Sequence, residues 1–208
     1  AILSRGLGDV YKRQVKNIVS QVDYLLDIHS MQKPCVPLMM AGMLNKGIDF
    51  ARDVGMQMPI ISDTGHNEGM RMRDYFGFSN KESQKNALLV ECGQHWAKSS
   101  EIVAIETMIR FLRTTSIMDE NFADDFIYKN KVLNFQNDVY KVGKIITIKS
   151  ENFKFDQDWQ GFETLKKGVL IGKDDNEEVY APYEETILIM PSKSCLLYTS
   201  PSPRDRIA

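Results

Sequence analysis

The chain has 208 residues, a formal net charge of -2 and 26% charged side chains. This balance argues against a basic nucleic-acid-binding surface, and no apolar run reaches the length that a transmembrane helix needs. With 43% hydrophobic residues, the chain has enough apolar material for the cores of one to two domains.

Both ends of the chain resemble translated sequencing adapter. Residues 4–14 end in Val-Tyr-Lys-Arg-Gln, which GTG TAT AAG AGA CAG encodes, and residues 195–205 match the reverse complement of that adapter. We therefore interpret 1–14 and 195–208 as artefacts of metagenomic sequencing and 15–194 as an internal fragment of a longer reading frame. The two natural cysteines, Cys35 and Cys92, imply no disulfide framework, which favours a reducing, cytoplasmic location.

The segment 15–120 alternates predicted strands and helices, which favours an α/β domain with a mostly parallel sheet. Apolar residues at helical spacing predict helices over 15–22, 44–54 and about 99–113. The third helix has serines suited to an N-cap and arginines near its C-terminus. Short apolar runs predict strands at Tyr24–Ile28, Val36–Met40, Pro59–Ile61 and Asn86–Glu91.

The pattern changes near residue 121, after which short segments of period two are separated by glycines and by an Asp-Asp-Asn turn. This pattern predicts a small all-β domain over 121–194. Its predicted strands lie within Val139–Lys149, Gly168–Ile171, Val179–Ala181 and Thr186–Met190.

Two of the predicted strands end in ionisable side chains. The run Leu88–Val90 is followed by Glu91 and then by Gly93, and the run that begins at Tyr24 leads into Asp27 and His29. In α/β enzymes the carboxyl ends of strands carry the chemistry. A buried carboxylate there must be hydrogen-bonded, neutralised or used, so Glu91 is a candidate catalytic residue.

Each of these residues also has a structural interpretation. A single histidine such as His29 is more often hydrogen-bonded than metal-bound, and Glu91 has about even odds of being satisfied by neighbouring amides or by an arginine. Arg71 is predicted to pair with a nearby carboxylate, Asp74 or Glu68, and His66 and His95 are taken as supporting or structural residues. No H-x-x-E or H-E-x-x-H spacing occurs, so spacing alone establishes no metal site.

Several stretches together resemble the succinylglutamate desuccinylase/aspartoacylase family of zinc-carboxypeptidase-like hydrolases. The similarity covers nearly the whole natural segment, including the β-rich part, and is therefore more specific than any one motif. The stretches are Asp27–Ser30, Arg73–Tyr75, Ala87–Trp96, Phe162–Gly168 and Ile187–Pro191.

The resemblance implies a zinc-dependent amidohydrolase that deacylates small N-acyl amino acids, with one zinc ion per complete chain. His29 matches the third zinc ligand and Glu91 the glutamate base, which takes a proton from the water that zinc activates. Asp27 would hold His29, and Arg73 is the candidate for binding a substrate carboxylate. The family's H-x-x-E ligand pair is missing, so the fragment itself is expected to bind zinc poorly and to be inactive.

Three alternatives stay open at this point. The first is a metallocarboxypeptidase acting on peptides, which the appended β-domain disfavours. The second is a carrier module, because Val179–Glu184 resembles strands of biotinyl or lipoyl domains, although no Met-Lys hairpin tip is present. The third is a non-catalytic homologue. No nucleic-acid or membrane partner is expected, and a homo-oligomer is left open.

Overall fold

The computed structural model describes residues 15–64, 71–129 and 137–192, together with the backbone of 206–207. The chain forms two compact units. The first takes in the chain up to Ser30, Pro37–Cys92 and Trp96–Lys141, and the second takes in Met31–Val36, Gly93–His95 and the chain from Val142 onward.

A five-stranded sheet organises the first unit. Its strands are Tyr24–Met31 (β1), Leu38–Met40 (β2), Ile60–Ser62 (β3), Asn86–Gln94 (β4) and Val139–Lys141 (β5). The spatial order is β1-β4-β2-β3-β5. β2–β3 and β3–β5 are parallel, and β2–β4 is antiparallel. β5, which the alternating pattern assigned to the β-rich region, pairs with β3 instead.

β1 and β4 run in the same direction. The N–H of Asn86 donates to the carbonyl of Asp23 at one end of the pair, and the N–H of His95 donates to the carbonyl of Met31 at the other. The sheet is therefore mostly parallel, and the predicted α/β class is confirmed.

Four α-helices accompany the sheet in the described ranges, with two short 3₁₀ helices at Met72–Asp74 and Phe76–Ser79, and none of the helices is long and apolar enough to span a membrane. The second ends at Gly55, whose φ of 72° provides the left-handed conformation common after a helix. The third has Glu101 in its first turn and Arg113 in its last, both favourable to the helix dipole. The helices are 15–21 (α1), Asn45–Val54 (α2), Lys98–Thr114 (α3) and Asp124–Lys129 (α4).

The alternation of β4 assigns its side chains to two faces of the sheet. Leu88, Val90 and Cys92 face the main core, where helices α2 and α3 contribute Phe50 and Phe111 among others. Ala87 lies on the other face, in a smaller cluster with Val19 of α1 and with Phe78. Because side chains two residues apart share a face, Glu91 projects on the same side as Ala87.

The second unit is built from short antiparallel pairs around a core that includes Trp159, Ile171 and Leu188. The Trp159 indole N–H donates to the Ile171 carbonyl at 2.9 Å. A two-residue turn at Asp175, where φ is 53°, closes the central hairpin, as predicted. The strands are Ile146–Thr147 (β6), Lys154–Phe155 (β7), Thr164–Leu165 (β8), Leu170–Asp174 (β9), Glu177–Tyr180 (β10), Thr186–Ile187 (β11) and Arg206–Ile207 (β12). The later β-rich region is therefore present.

Candidate active site

The two strands that carry the predicted site are longer than the sequence indicated. β1 continues past Ile28 to Met31, and β4 continues past Glu91 to Gln94, so His29 and Glu91 lie within strands rather than after them. Glu91 nevertheless marks a structural boundary, since it lies opposite Leu38, the first residue of β2. Beyond Glu91, β4 no longer has β2 beside it.

The structure brings Asp27, His29 and Glu91 together on one face of two neighbouring strands. His29 Nε2 lies 2.9 Å from Asp27 Oδ1, and His29 Nδ1 lies 3.9 Å from Glu91 Oε1. The Glu91 side chain is 2% exposed and that of His29 is 30% exposed. The group therefore runs from a buried carboxylate, through an imidazole that solvent reaches, to a second carboxylate.

The contact with Asp27 determines what the imidazole presents to Glu91. An ionised carboxylate only accepts hydrogen bonds, so Nε2 is the nitrogen that carries the proton. In the neutral ring Nδ1 then directs its lone pair toward the Glu91 carboxylate, at a distance too long for a direct hydrogen bond. A lone pair and a carboxylate oxygen facing each other repel unless a proton or a cation lies between them. The pair is therefore suited to holding a positively charged species or a polarised water.

The contact between His29 and Asp27 is typical of a zinc site, but the described residues supply too few metal ligands. Metal-ligating histidines donate their second ring N–H to a carboxylate, as His29 does to Asp27. Zinc, however, takes at least three protein ligands, and the described part of the chain contains no group of three or more His, Cys, Asp or Glu side chains that could hold a metal ion. The described residues alone do not form a zinc site.

Cys92, the neighbour of Glu91, does not supply a nucleophile. Its side chain lies in the main core on the opposite face of β4, where it is 2% exposed. Burial, and secondarily the charge of Glu91, raises the pKa of the Cys92 thiol to about 12. The thiolate that a cysteine nucleophile requires is therefore scarce at neutral pH.

Arg73 lies elsewhere in the first unit. Its guanidinium donates to the carbonyl of Ala41 and to Asp74 Oδ1, both at 2.7 Å, and the residue is 3% exposed. Burial lowers the pKa of the Arg73 guanidinium, which the charge of Asp74 opposes. The guanidinium packs against Gly42, where an added Cβ would lie 2.0 Å from Arg73 Nη1, so this position has room only for glycine.

The direction of β2 separates Arg73 from Glu91. Because β2 is antiparallel to β4, its first residue, Leu38, lies opposite Glu91, whereas Ala41 follows its last residue. Three residues of extended chain correspond to about 10 Å. The structure therefore does not bring Arg73 to the His29–Glu91 pair.

Arg71 forms a charged network that the sequence indicated only in part. The predicted pairing with Asp74 is present at 3.3 Å, but both Arg71 Nη2 contacts to the Asp63 carboxylate are shorter, at 2.7 and 2.6 Å. Asp63 follows β3 directly, and this position after a strand was the available sequence signal.

One of the two remaining histidines lies in the described part of the chain. His95 belongs to the second unit, where its backbone N–H donates to Met31. His66 and Glu68 lie outside the described residues.

No protein-family model and no curated protein matches the sequence. Solved structures do resemble it. Succinylglutamate desuccinylase from Vibrio cholerae matches with a TM-score of 0.59 and 14% identity over 96% of this chain and 57% of that one. The desuccinylase from Vibrio parahaemolyticus matches with a TM-score of 0.60 and 14% identity, over 97% of this chain and 59% of that one. A succinylglutamate desuccinylase/aspartoacylase from Rhodobacter sphaeroides matches with a TM-score of 0.56 and 10% identity, over 85% of this chain and 55% of that one.

These similarities confirm the fold that the sequence resemblance implied. At 10–14% identity they show the fold and not the activity. The chain also spans less than two thirds of the length of each of these proteins, between 55% and 59%.

Proposed function

We propose that the chain is part of an amidohydrolase of the succinylglutamate desuccinylase/aspartoacylase family, which releases a carboxylic acid and a free amino acid from a small N-acyl amino acid. The observation that carries the proposal is the alignment of Asp27, His29 and Glu91 on one face of β1 and β4. The similarity in fold to desuccinylases supports the same reaction class.

In this proposal Glu91 is the proton carrier. A carboxylate that is 2% exposed has little competing hydration, and it lies beside a histidine that solvent reaches. It would take a proton from the water that attacks the amide carbonyl and deliver it to the departing amine nitrogen. Asp27 would hold the His29 ring in the tautomer that presents Nδ1 toward the reacting centre.

We further propose that the complete protein depends on one zinc ion, for which His29 would supply one ligand. The other ligands would come from sequence outside this chain, so the described residues account for only part of the coordination. The role predicted for Arg73, binding a substrate carboxylate, stays a prediction, because its contacts with Ala41 and Asp74 support a structural role instead. A cytoplasmic location remains an expectation from cysteine usage.

The test uses the longer reading frame from which the segment 15–194 would derive. We would measure zinc per chain and the release of free amine from N-succinylglutamate and N-acetylaspartate, in the parent protein and in Glu91→Gln, His29→Ala and Glu106→Gln. Glu106 is a matched control, since it is a buried glutamate that pairs with Arg110 at 2.8 Å in α3.

The proposal expects Glu91→Gln to keep its zinc and to lose roughly 10²–10⁴-fold in kcat. His29→Ala should lose zinc, and Glu106→Gln should keep both zinc and turnover. Full turnover in Glu91→Gln would refute the role of the base. Cleavage of C-terminal residues from peptides in preference to N-acyl amino acids would identify a metallocarboxypeptidase, and a parent protein with neither zinc nor turnover would identify a non-catalytic homologue.

A further inference from the structure

Lys46 occupies an unusual position in the first unit. Its ammonium donates to four backbone carbonyl oxygens of one loop, those of Gly77 at 3.0 Å, Asn80 at 2.8 Å, Ser83 at 2.9 Å and Lys85 at 2.7 Å. An ammonium has three N–H donors, so the four oxygens surround it with more acceptors than it has protons. Such a ring of carbonyl dipoles is the environment that proteins provide for a bound cation.

The surroundings of Lys46 otherwise disfavour a positive charge. It is the second residue of α2, and the N-terminus of a helix carries a partial positive charge that repels cations. Burial and the charge of Arg73 both lower the pKa of the Lys46 ammonium. None of the ion pairs within the described ranges includes Lys46. The carbonyl oxygens are therefore the groups that stabilise the charge.

The same lysine also connects the loop to β4. The backbone carbonyl of Lys46 accepts a hydrogen bond of 2.7 Å from the side-chain amide of Asn86, the first residue of β4. The ammonium holds the loop that leads into β4, and the backbone holds the start of the strand itself. Glu91 lies five positions further along that strand, so the start of β4 sets the position of the candidate base.

We propose that the carbonyl oxygens of Gly77, Asn80, Ser83 and Lys85 form a binding site for a primary ammonium ion, whose resident ligand is the Lys46 side chain. Without that side chain the site would accept a free alkylammonium ion of matching length. Through this site and its own backbone carbonyl, Lys46 links the loop to the start of β4. This inference rests on the geometry of the loop and does not depend on the proposed function.

The experiment uses the 208-residue chain and the variant Lys46→Ala. Alanine keeps Cβ, so n-propylammonium supplies the atoms that are removed, from Cγ to Nζ. The thermal midpoint Tm is measured with n-propylammonium chloride and, at equal ionic strength, with tetramethylammonium chloride, which has no N–H donor. Lys81→Ala is the control, because Lys81 lies in the same loop but its side chain is 80% exposed.

Lys46→Ala should lower Tm by about 4–10 °C, because four carbonyl oxygens, in contacts of which three are partly buried, lose their shared donor. n-Propylammonium should recover a large part of that loss in Lys46→Ala, and tetramethylammonium should not. Neither salt should act differently on Lys81→Ala and on the parent chain. A Tm for Lys46→Ala within about 1 °C of the parent, or equal effects of the two salts on that variant, would overturn the proposal.

A second measurement covers the case in which Lys46→Ala does not fold. In the parent chain, the acetylation rate of each lysine by acetic anhydride is followed by mass spectrometry. The lowered pKa of Lys46 by itself favours acylation, but the four carbonyl oxygens enclose the nitrogen and limit access of the reagent, so Lys46 should react at least tenfold more slowly than Lys81. Equal rates for the two lysines would contradict the proposal independently of any variant.

Discussion

Replacing Glu91 by glutamine separates a catalytic carboxylate from a structural one through stability alone. Glutamine has nearly the same shape, so the substitution removes the charge and leaves the packing in place. At 2% exposure, the carboxylate has lost most of its hydration, which costs several kcal/mol for a buried ion. A residue retained for proton transfer leaves part of that cost uncompensated in the folded state.

One compensation that the geometry shows is the attraction to His29. For a protonated ring at 3.9 Å, Coulomb's law with an effective dielectric constant of about 20 yields about 4 kcal/mol. The His29 side chain is 30% exposed, so solvent screening reduces this figure, and a neutral ring removes most of it. We therefore expect Glu91→Gln to raise the free energy of unfolding by about 1–2 kcal/mol at pH 7.

The assay is urea denaturation of the 208-residue chain at pH 7, followed by circular dichroism. Glu106→Gln serves as the comparison, because it weakens the 2.8 Å ion pair with Arg110 and should lower the unfolding free energy by about 0.5–1 kcal/mol. A rise in the unfolding free energy for Glu91→Gln together with a fall for Glu106→Gln would support the interpretation. A loss of about 2 kcal/mol or more in Glu91→Gln would refute it, since the carboxylate would then be a fully hydrogen-bonded structural anchor.

Three further outcomes follow from other buried groups. Arg73→Met should lower the unfolding free energy by about 2–4 kcal/mol, because it leaves Asp74 Oδ1 and the Ala41 carbonyl without their buried donor; a smaller loss in urea denaturation would favour an exposed, substrate-binding arginine. Hydrogen bonds from the Ser150 side chain and from two backbone N–H groups hold the pKa of Asp174 below its usual value, so the stability they provide is present above the unfolded pKa and is lost as pH falls through the folded one. Asp174→Asn should therefore flatten the acid limb of a Tm-against-pH profile, and an unchanged limb would contradict this. Cys92 should resist a thiol reagent in the native chain and react after denaturation, since its thiol has a pKa raised to about 12; rapid native labelling would show that the main core opens.

Local patterns in the sequence predicted the elements that depend on neighbouring residues. The helical spacing of apolar residues indicated α2 and α3, and an Asp-Asn turn indicated the β9–β10 hairpin. An apolar run interrupted by a carboxylate was enough to single out Glu91 as a candidate, because a charge inside a buried strand has to be explained locally.

The lengths of the strands and their neighbours were decided by tertiary structure. β1 and β4 extend beyond His29 and Glu91 because each strand finds a hydrogen-bonding partner in the other, and such a partner is distant in sequence. The same pairing places His29 and Glu91 3.9 Å apart.

Arg73 and Lys46 illustrate what periodicity leaves undetermined. An arginine near a predicted site suggests a substrate contact, but the antiparallel direction of β2 places Arg73 at the far end of that strand from Glu91. Lys46 resembles any lysine in the first turn of a helix until the loop 77–85 folds around its ammonium. A sequence by itself specifies which residues carry charge and which are apolar. Strand order and direction decide which charges meet, because they depend on hydrogen bonds between segments that local patterns do not connect.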